Sequence, residues 1–244
     1  MPDTLIFILI IIFIATLVRS TLGFGESLVA VPLLVLFLPA EVAVPLSVML
    51  SIIIALIVIV QDHDHVQWYS AIWLILYAIP GIPLGIALLV YGSESLIKLA
   101  LGTLIIIYSL YSLSAKRTRT LGIHHKVALM LCGFLSGILG GAYGLNGPPL
   151  VVYGNMRQWS AQHFRVTLQA YFLPISLISA FGYYSKGLIT QEVGDYFLIS
   201  LLPAVPAIYL GRYLNRRLRN GSFFNYIYWG LLVIGTILIY SALI

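Results

Sequence analysis

Ten apolar segments follow one another along this chain, at about residues 5–18, 28–38, 42–60, 68–90, 95–115, 127–139, 149–156, 166–184, 196–213 and 223–243. Only short polar connections separate them. Inside hydrocarbon every backbone N–H and C=O must be satisfied within the protein, and successive segments of this kind meet that demand as helices. Of the 244 residues, 61% are hydrophobic and 9% charged, and the mean hydropathy is +1.03. No soluble domain needs that much apolar surface, so the expected fold is an all-α polytopic membrane protein. The net charge of +5 does not point to nucleic acid, because the basic residues cluster between apolar segments, where they report orientation. Cys132 is the one cysteine, which excludes an intrachain disulfide. Residues 5–18 follow Asp3 and precede Arg19, the reverse of the charge order of a secretory signal, and are expected to be retained.

Two of the apolar runs are interrupted. Gly140-Gly141-Ala142-Tyr143-Gly144-Leu145-Asn146-Gly147-Pro148-Pro149 ends one helix and starts another at Pro148 or Pro149. Irregular backbone at membrane depth must be buried in protein or line a polar cavity. A shift of about 117 residues carries Leu22-Gly23 onto Leu139-Gly140, Leu28 onto Leu145 and Pro32-Leu33 onto Pro149-Leu150. The first break is therefore Thr21-Leu22-Gly23-Phe24-Gly25-Glu26-Ser27. With a one-residue slip, Ser47-Val48-Met49-Leu50 matches Arg165-Val166-Thr167-Leu168, which sets Ser51 opposite Gln169. Pro80 and Pro83 recur as Pro203 and Pro206, and Gly102-Thr103 recurs, approximately in register, as Gly235-Thr236. Two halves with corresponding broken helices are the pattern of secondary transporters whose site lies where the repeats meet. The expected organisation is one membrane domain: a first repeat over 1–115, a basic cytoplasmic linker over 116–126 and a second repeat over 127–244.

A full crossing needs roughly 20 residues, and the segments flanking each break are shorter. Each flanking pair is therefore expected to form a hairpin, re-entrant or nearly so, with the glycine-rich break at its tip. Charge supports this. Lys116, Arg117, Arg119 and Lys126 mark one cytoplasmic loop, and Arg212, Arg216, Arg217 and Arg219 mark another. With 127–156 as a hairpin, Arg157 and Arg165 also return to the cytoplasm, and 185–195, with Glu192 and Asp195, lies outside. A single broken crossing would put Arg157, Arg165 and the 212–219 cluster outside. The hairpin reading places 91–94 outside, Asp62-His63-Asp64-His65 inside and the N-terminus outside. Each half then holds a hairpin and three crossings, an odd net number, so the second repeat is inverted relative to the first and the tips enter from opposite faces. Trp68, Tyr69, Tyr183, Tyr184, Tyr226, Tyr228 and Trp229 fall near span ends, as interfacial aromatics do.

At such a break, amides released from helical bonding and the positive end of the next helix suit an anion. The candidate binding residues are Arg19, Ser20, Thr21, Gly23, Gly25, Glu26 and Ser27 at the first break. At the second they are Gly140, Gly141, Tyr143, Gly144, Asn146 and Gly147, joined by Gln169 from the next crossing. Glycines admit a ligand close to the backbone; the serines, Thr21, Tyr143, Asn146 and Gln169 supply neutral hydrogen bonds. Arg19, a cation at membrane depth, needs a partner, and Glu26 across the break is the candidate. The pair has two readings, a structural clamp on the hairpin tip or a part of the substrate or proton path.

Other features have plainer readings. Asp62-His63-Asp64-His65 carries metal-ligand residue types but reads as a solvated turn. Arg165 is an orienting anchor or a gate, the anchor being favoured. His124 and His125 belong to the basic loop. Gly133-Phe134-Leu135-Ser136-Gly137 resembles a hydrolase serine loop, yet no base accompanies it, and small residues pack membrane helices. The Pro pairs are read as kinks.

At Arg19 to Glu26, with Val31-Pro32-Leu33-Leu34 after it, at Gly137 to Pro149, and at Phe164-Arg165 through Gln169 to Phe172, the chain resembles the sulfite exporter TauE/SafE family, also called the toluene sulfonate uptake permease family. The resemblance covers nearly the whole chain. The family's G-x-G-G-G type break departs here to Gly23-Phe24-Gly25-Glu26 and Gly140-Gly141-Ala142-Tyr143. The resemblance implies a bacterial inner-membrane transporter, commonly an exporter, of sulfite, thiosulfate, sulfoacetate, sulfonates or related carboxylates. The residues by themselves point to an anion and leave its chemistry open.

The function expected is thus secondary transport of one small anion at the midplane between the two tips, with no enzymatic activity. No P-loop is present, and no cofactor or metal is expected. The partners expected are the anionic substrate and the lipid bilayer, with no nucleic acid and with a homodimer as the default assembly. The alternatives are a passive anion channel of the same architecture and a membrane enzyme or scaffold subunit.

Overall fold

The computed structural model describes residues 2–62, 66–114, 125–157, 159–217 and 222–243. Among them are eleven helices and no strand: α1 (Pro2–Leu22), α2 (Glu26–Leu34), α3 (Ala40–Asp62), α4 (Trp68–Ala78), α5 (Gly81–Tyr91), α6 (Glu94–Ser114), α7 (His125–Tyr143), α8 (Gly147–Met156), α9 (Ala161–Ser185), α10 (Gln191–Arg217) and α11 (Ser222–Leu243). Six of them, α1, α3, α6, α7, α9 and α10, are long and apolar enough to cross a membrane. The pair α4 and α5 makes a seventh candidate span, bent by 47°. The bend falls at Ile79-Pro80, as the first Pro pair predicts, because proline removes a donor and its ring crowds the preceding turn. Pro203 and Pro206, by contrast, lie inside the unbroken α10.

Both breaks occur where the sequence places them, but their arms are unequal. The leading arms outrun the apolar segments 5–18 and 127–139, because the helical turns continue through Ser20 and Thr21 in α1 and through Gly140, Gly141 and Ala142 in α7. Apolar windows of 18 residues result, Leu5–Leu22 and Lys126–Tyr143. The trailing arms α2 and α8 have 9 and 10 residues, about 14–15 Å at the helical rise, or half of the hydrocarbon thickness. Each break thus joins a full-length helix to a half-length one.

The major helix pairs are α6 with α11, α1 with α10, α7 with α4 and α5, and α3 with α9. When α1, α2, α3, α4/α5 and α6 are exchanged for α7, α8, α9, α10 and α11, this scheme returns to itself. The first and fourth pairs each exchange their own members; the second, α1 on α10, becomes the third, α7 on α4/α5.

Small residues decide how closely these pairs approach, since hydrocarbon offers no hydrophobic drive for helices to associate. On α6 and α11, Gly102 and Gly235 face each other: a Cβ at the first would stand 2.8 Å from the Gly235 oxygen, and one at the second 3.0 Å from the Gly102 oxygen. On α5 and α7, Gly81 and Gly85 lie against the backbone of Phe134 to Ala142, and Gly137 against Ala78. The outer surface is apolar, with Phe181 74% and Leu202 78% exposed, a face that lipid covers in a multi-pass membrane protein.

Candidate functional site

The first break is built by backbone geometry. Gly23 N–H closes the last turn of α1 on Arg19 O at 2.6 Å, and Gly23 then takes a φ of +88°, in the left-handed region that glycine adopts without strain. A Cβ there would also come within 2.8 Å of Arg165 Cα, so α9 lies directly on the break. Gln169 Nε2 donates to Gly23 O at 2.6 Å and fastens the two together. Gly25, with φ +97°, sets α2 off in its new direction.

This turn holds Arg19 and Glu26 at one place. Arg19 is 3% exposed. Its Nη1 donates to Ser51 Oγ at 2.7 Å and its Nη2 to Gln169 Oε1 at 2.9 Å, with a longer contact of Nη2 to Ser51 O. Ser51 and Gln169 are the residues that the two halves set opposite each other, so one guanidinium is gripped by a matched pair from α3 and α9. The ring of Phe172 lies 4.8 Å from Arg19 Cζ, a cation–π contact. Ser51 Oγ also meets Ser176 Oγ at 3.0 Å.

Glu26 opens α2, with its carboxylate at the electropositive end of that helix. Its Oε1 accepts from Ser47 Oγ at 2.9 Å and its Oε2 from Ser27 Oγ at 3.0 Å. Oε2 lies 3.5 Å from Arg19 Nη1. The partnership expected across the break is therefore present, and both members are buried.

The second break repeats the design without charge. At the positions of Arg19 and Glu26, the repeat register has Ser136 and Tyr143. Ser136 Oγ donates to Asn146 O at 2.7 Å and accepts from Tyr171 OH at 2.9 Å. Gly144 takes a φ of +68°, and α8 starts at Gly147 with Pro148 and Pro149 next. Prolines have no N–H, so the helix end at this tip offers an anion fewer amides than α2 does.

One narrow cavity touches both tips. It is lined by Arg19, Phe24, Gly25, Glu26, Ser27 and Leu28 on one side, by Gly144, Leu145, Asn146, Gly147 and Pro148 on the other, and by Ser51 and Phe172. Its volume, about 20 Å³, is on the scale of a single water. Seven of the fourteen candidate residues named from sequence therefore line it: Arg19, Gly25, Glu26, Ser27, Gly144, Asn146 and Gly147. Gln169 and Gly23 join through hydrogen bonds behind it.

The remaining five stand apart from the lining. Gly140 and Gly141 lie within α7, where Gly141 packs against Ile82 and the carbonyls of both accept from Tyr183 OH. Thr21 Oγ1 bonds back to Leu17 O, and its own carbonyl accepts from Asn215 Nδ2. Ser20 packs against Gly211 of α10. Tyr143 is buried at the end of α7.

Sequence reading missed Ser47, Ser51, Phe172 and Ser176. The available signal was spacing: Ser47 and Ser51 share one helix face at i, i+4 in a stretch already matched to Arg165–Gln169. Arg165 is 9% exposed, packed on Gly23 rather than held out at an interface. Gly133 and Gly137 pack on α4, the helix-packing role. His63 to His65, Lys116, Arg117, Arg119, His124 and Arg219 lie outside the described residues. So do the side chains of Asp62, His125, Arg216, Arg217 and Tyr226.

Comparison with known proteins bears on the same elements. Neither a curated protein nor a solved structure gives a significant match. A family model described as sulfite exporter TauE/SafE matches residues 8–238, from within α1 to within α11. The match takes in both breaks, the α3 and α9 helices that grip Arg19, and every residue of the cavity lining. By this match over nearly its whole length, the chain belongs to the sulfite exporter TauE/SafE family.

Proposed function

We propose that this protein is a secondary transporter that exports a small sulfur-containing or organic anion, such as sulfite, sulfoacetate or another sulfonate. The anion binds between the two broken-helix tips, and access alternates as one half moves against the other. The observation that carries the reading is a cavity bordered by the starts of both half-length helices and by the buried Arg19 guanidinium. A guanidinium and a helix N-terminus favour negative charge, and the hydroxyls and the amide around them orient it.

Two features support a carrier over an open pore. The cavity is small and lies within the protein, and the two halves share one pairing scheme, so two access states of similar packing are available to the fold. The membrane is proposed to be the bacterial inner membrane, with the N-terminus outside, residues 116–126 and 212–222 in the cytoplasm, and the second repeat inverted relative to the first.

Flux in proteoliposomes of the purified protein tests the proposal, with sulfite, thiosulfate, sulfoacetate, acetate and chloride as solutes, with and without a pH gradient. Saturable movement of a sulfur oxyanion or sulfonate, accumulated against its gradient, is the expected outcome. Non-saturating leakage of chloride at a comparable rate would favour a passive channel. Chemical conversion of a solute, or no movement of any, would sink the transport reading.

A further inference from the structure

We infer that Glu26 is the proton-carrying group of this protein, coupled to the anion by competition for Arg19: the entering anion takes the place of the Glu26 carboxylate beside the guanidinium, and Glu26 takes up a proton from solvent as it is displaced. This rests on the transport reading above and names the coupling ion for that site.

The geometry is that of a tethered anion already seated in an anion site. The Glu26 carboxylate has a helix N-terminus behind it, hydroxyls on both oxygens and a guanidinium beside it. Yet the two charges stand at ion-pair distance rather than in close contact. A charge-assisted N–H···O contact closes to roughly 2.7–2.9 Å, while Arg19 and Glu26 stand at 3.5 Å. The guanidinium is fixed instead by Ser51 and Gln169, and the carboxylate by Ser47 and Ser27. Either partner can be exchanged without dismantling the other's supports. Arg19 Nε, buried and without a hydrogen-bond partner, is a further donor for an incoming oxyanion.

Charge balance requires the proton. Arg19 and Glu26 are 3% and 1% exposed, so the site is poorly screened and a net charge in it is costly. Guanidinium with carboxylate is neutral. Guanidinium, carboxylate and a monoanion would carry one negative charge, and one proton on Glu26 restores neutrality. Protonation strands nothing: a serine hydroxyl both donates and accepts, so Ser47 or Ser27 can receive the new O–H while the other still donates to the carbonyl oxygen.

No other described group is placed to compensate. The helices packed on α2 are α1, α3, α6 and α11. Their titratable or charged residues with described side chains are Arg19 on α1; Glu41 on α3; Glu94, Lys98, Tyr108 and Tyr111 on α6; and Tyr228 and Tyr240 on α11. Arg165 packs on Gly23 and Tyr143 is buried at the end of α7, and neither lines the cavity. Among the described residues, Arg19 alone lies within ion-pair distance of Glu26, while Glu94 and Lys98 pair with each other. A site neutral with one monoanion and one proton also selects monoanions over dianions.

Proton and anion bind together in this scheme and cross together. Export then runs when the internal anion exceeds the external by about tenfold for each pH unit by which the outside is more acidic. The test is titration calorimetry of the purified full chain with sulfite, thiosulfate and methanesulfonate, in buffers of different ionisation enthalpy, with sulfite's own titration subtracted. The expected result is uptake of about one proton per monoanion bound, weaker binding of the thiosulfate dianion, and a monoanion affinity that falls about tenfold per pH unit where the free protein's Glu26 is ionised. Glu26→Gln is expected to bind with no proton uptake and no pH dependence, and to pass anion downhill while losing accumulation driven by an acidic exterior. Binding by the unmodified protein without proton uptake overturns the inference and leaves transport standing, a measurement that needs no variant. Undiminished proton uptake by Glu26→Gln overturns it equally. If the unmodified protein neither binds nor moves any of the three anions, the transport reading falls and this inference with it.

Discussion

Arg19 is bound by shape as much as by charge. Its planar fork reaches Ser51 with one nitrogen and Gln169 with the other, a task that a single ammonium cannot perform. Arg19→Lys, which keeps the charge, is therefore expected to lower the initial rate of sulfite uptake into proteoliposomes by about 100-fold, near the effect of Arg19→Gln. A rate close to normal in Arg19→Lys would mean that the site uses charge alone. Ser51→Ala and Gln169→Ala each remove one support, at about 1–3 kcal/mol for a buried donor left unpaired. Because they share one guanidinium, their effects are expected to be non-additive, with the double variant little worse than the poorer single one. Rates normalised to reconstituted protein check this cycle. The Arg19–Glu26 partnership was legible in sequence because a buried charge demands a partner and only one lay nearby. Ser47 and Ser51 were not, because a serine in an apolar helix reads the same whether it bonds its own backbone or a distant charge.

At the level of the helix, glycines divide into those that pack and those that turn, and sequence does not separate the two. Gly140 and Gly141 sit in a glycine-rich break by composition, yet they are helical: Gly140 packs against the Asn146 side chain and Gly141 against α5, and the carbonyls of both accept from Tyr183 OH. Only Gly144 of that run takes positive φ among the described residues. The distinction matters for stability. On α11, a Cβ at Gly235 would meet Ile106 at 2.8 Å and the Gly102 oxygen at 3.0 Å, while one at Gly230 would meet nothing within 4 Å. Gly235→Ala is expected to cost about 1–3 kcal/mol through overpacking. Gly230→Ala should be neutral or gain up to about 1 kcal/mol from helix propensity. Thermal melts of the two variants in one detergent check the difference, and equal melting temperatures would mean that α6 and α11 are not held this closely. The positions of the breaks were legible for a similar reason: Gly, Asn and Pro interrupt an apolar period unmistakably. The lengths of the arms were not, because Arg19, Ser20 and Thr21 look like the end of a membrane segment. They continue the helix because Arg19 is met by partners from α3 and α9, which are distant in sequence.

For the whole molecule, the inverted arrangement makes a claim about sidedness that helix pairing alone does not decide. The pairing scheme is the same after exchange of halves whether or not the second half is upside down. Orientation must come from the charges, and the hairpin reading commits three exposed positions. Ser93, between α5 and α6, and Thr190, ahead of α10, belong outside; Ser160, between α8 and α9, belongs in the cytoplasm. All three are exposed, and the single Cys132 allows a clean background after Cys132→Ser. Single cysteines at these sites, treated in intact cells with a membrane-impermeant thiol reagent, are expected to label at 93 and 190 and to stay unlabelled at 160 until the cells are opened. Labelling of 160 from outside would make α7 and α8 one broken crossing. That would carry Arg157 to the external face, against the positive-inside bias, and would leave the half-length α8 to complete a crossing that α7 alone is long enough to make. With 160 inside and 190 outside, α9 runs outward from the base of the second hairpin. With 93 outside, α4 and α5 run outward too and α3 runs inward from the first, so the matched helices that grip Arg19, α3 and α9, are antiparallel. Under the proposed alternating access, movement of one half against the other leaves Arg19 with Ser51, which belongs to the same half, and changes its distance to Gln169 in the other.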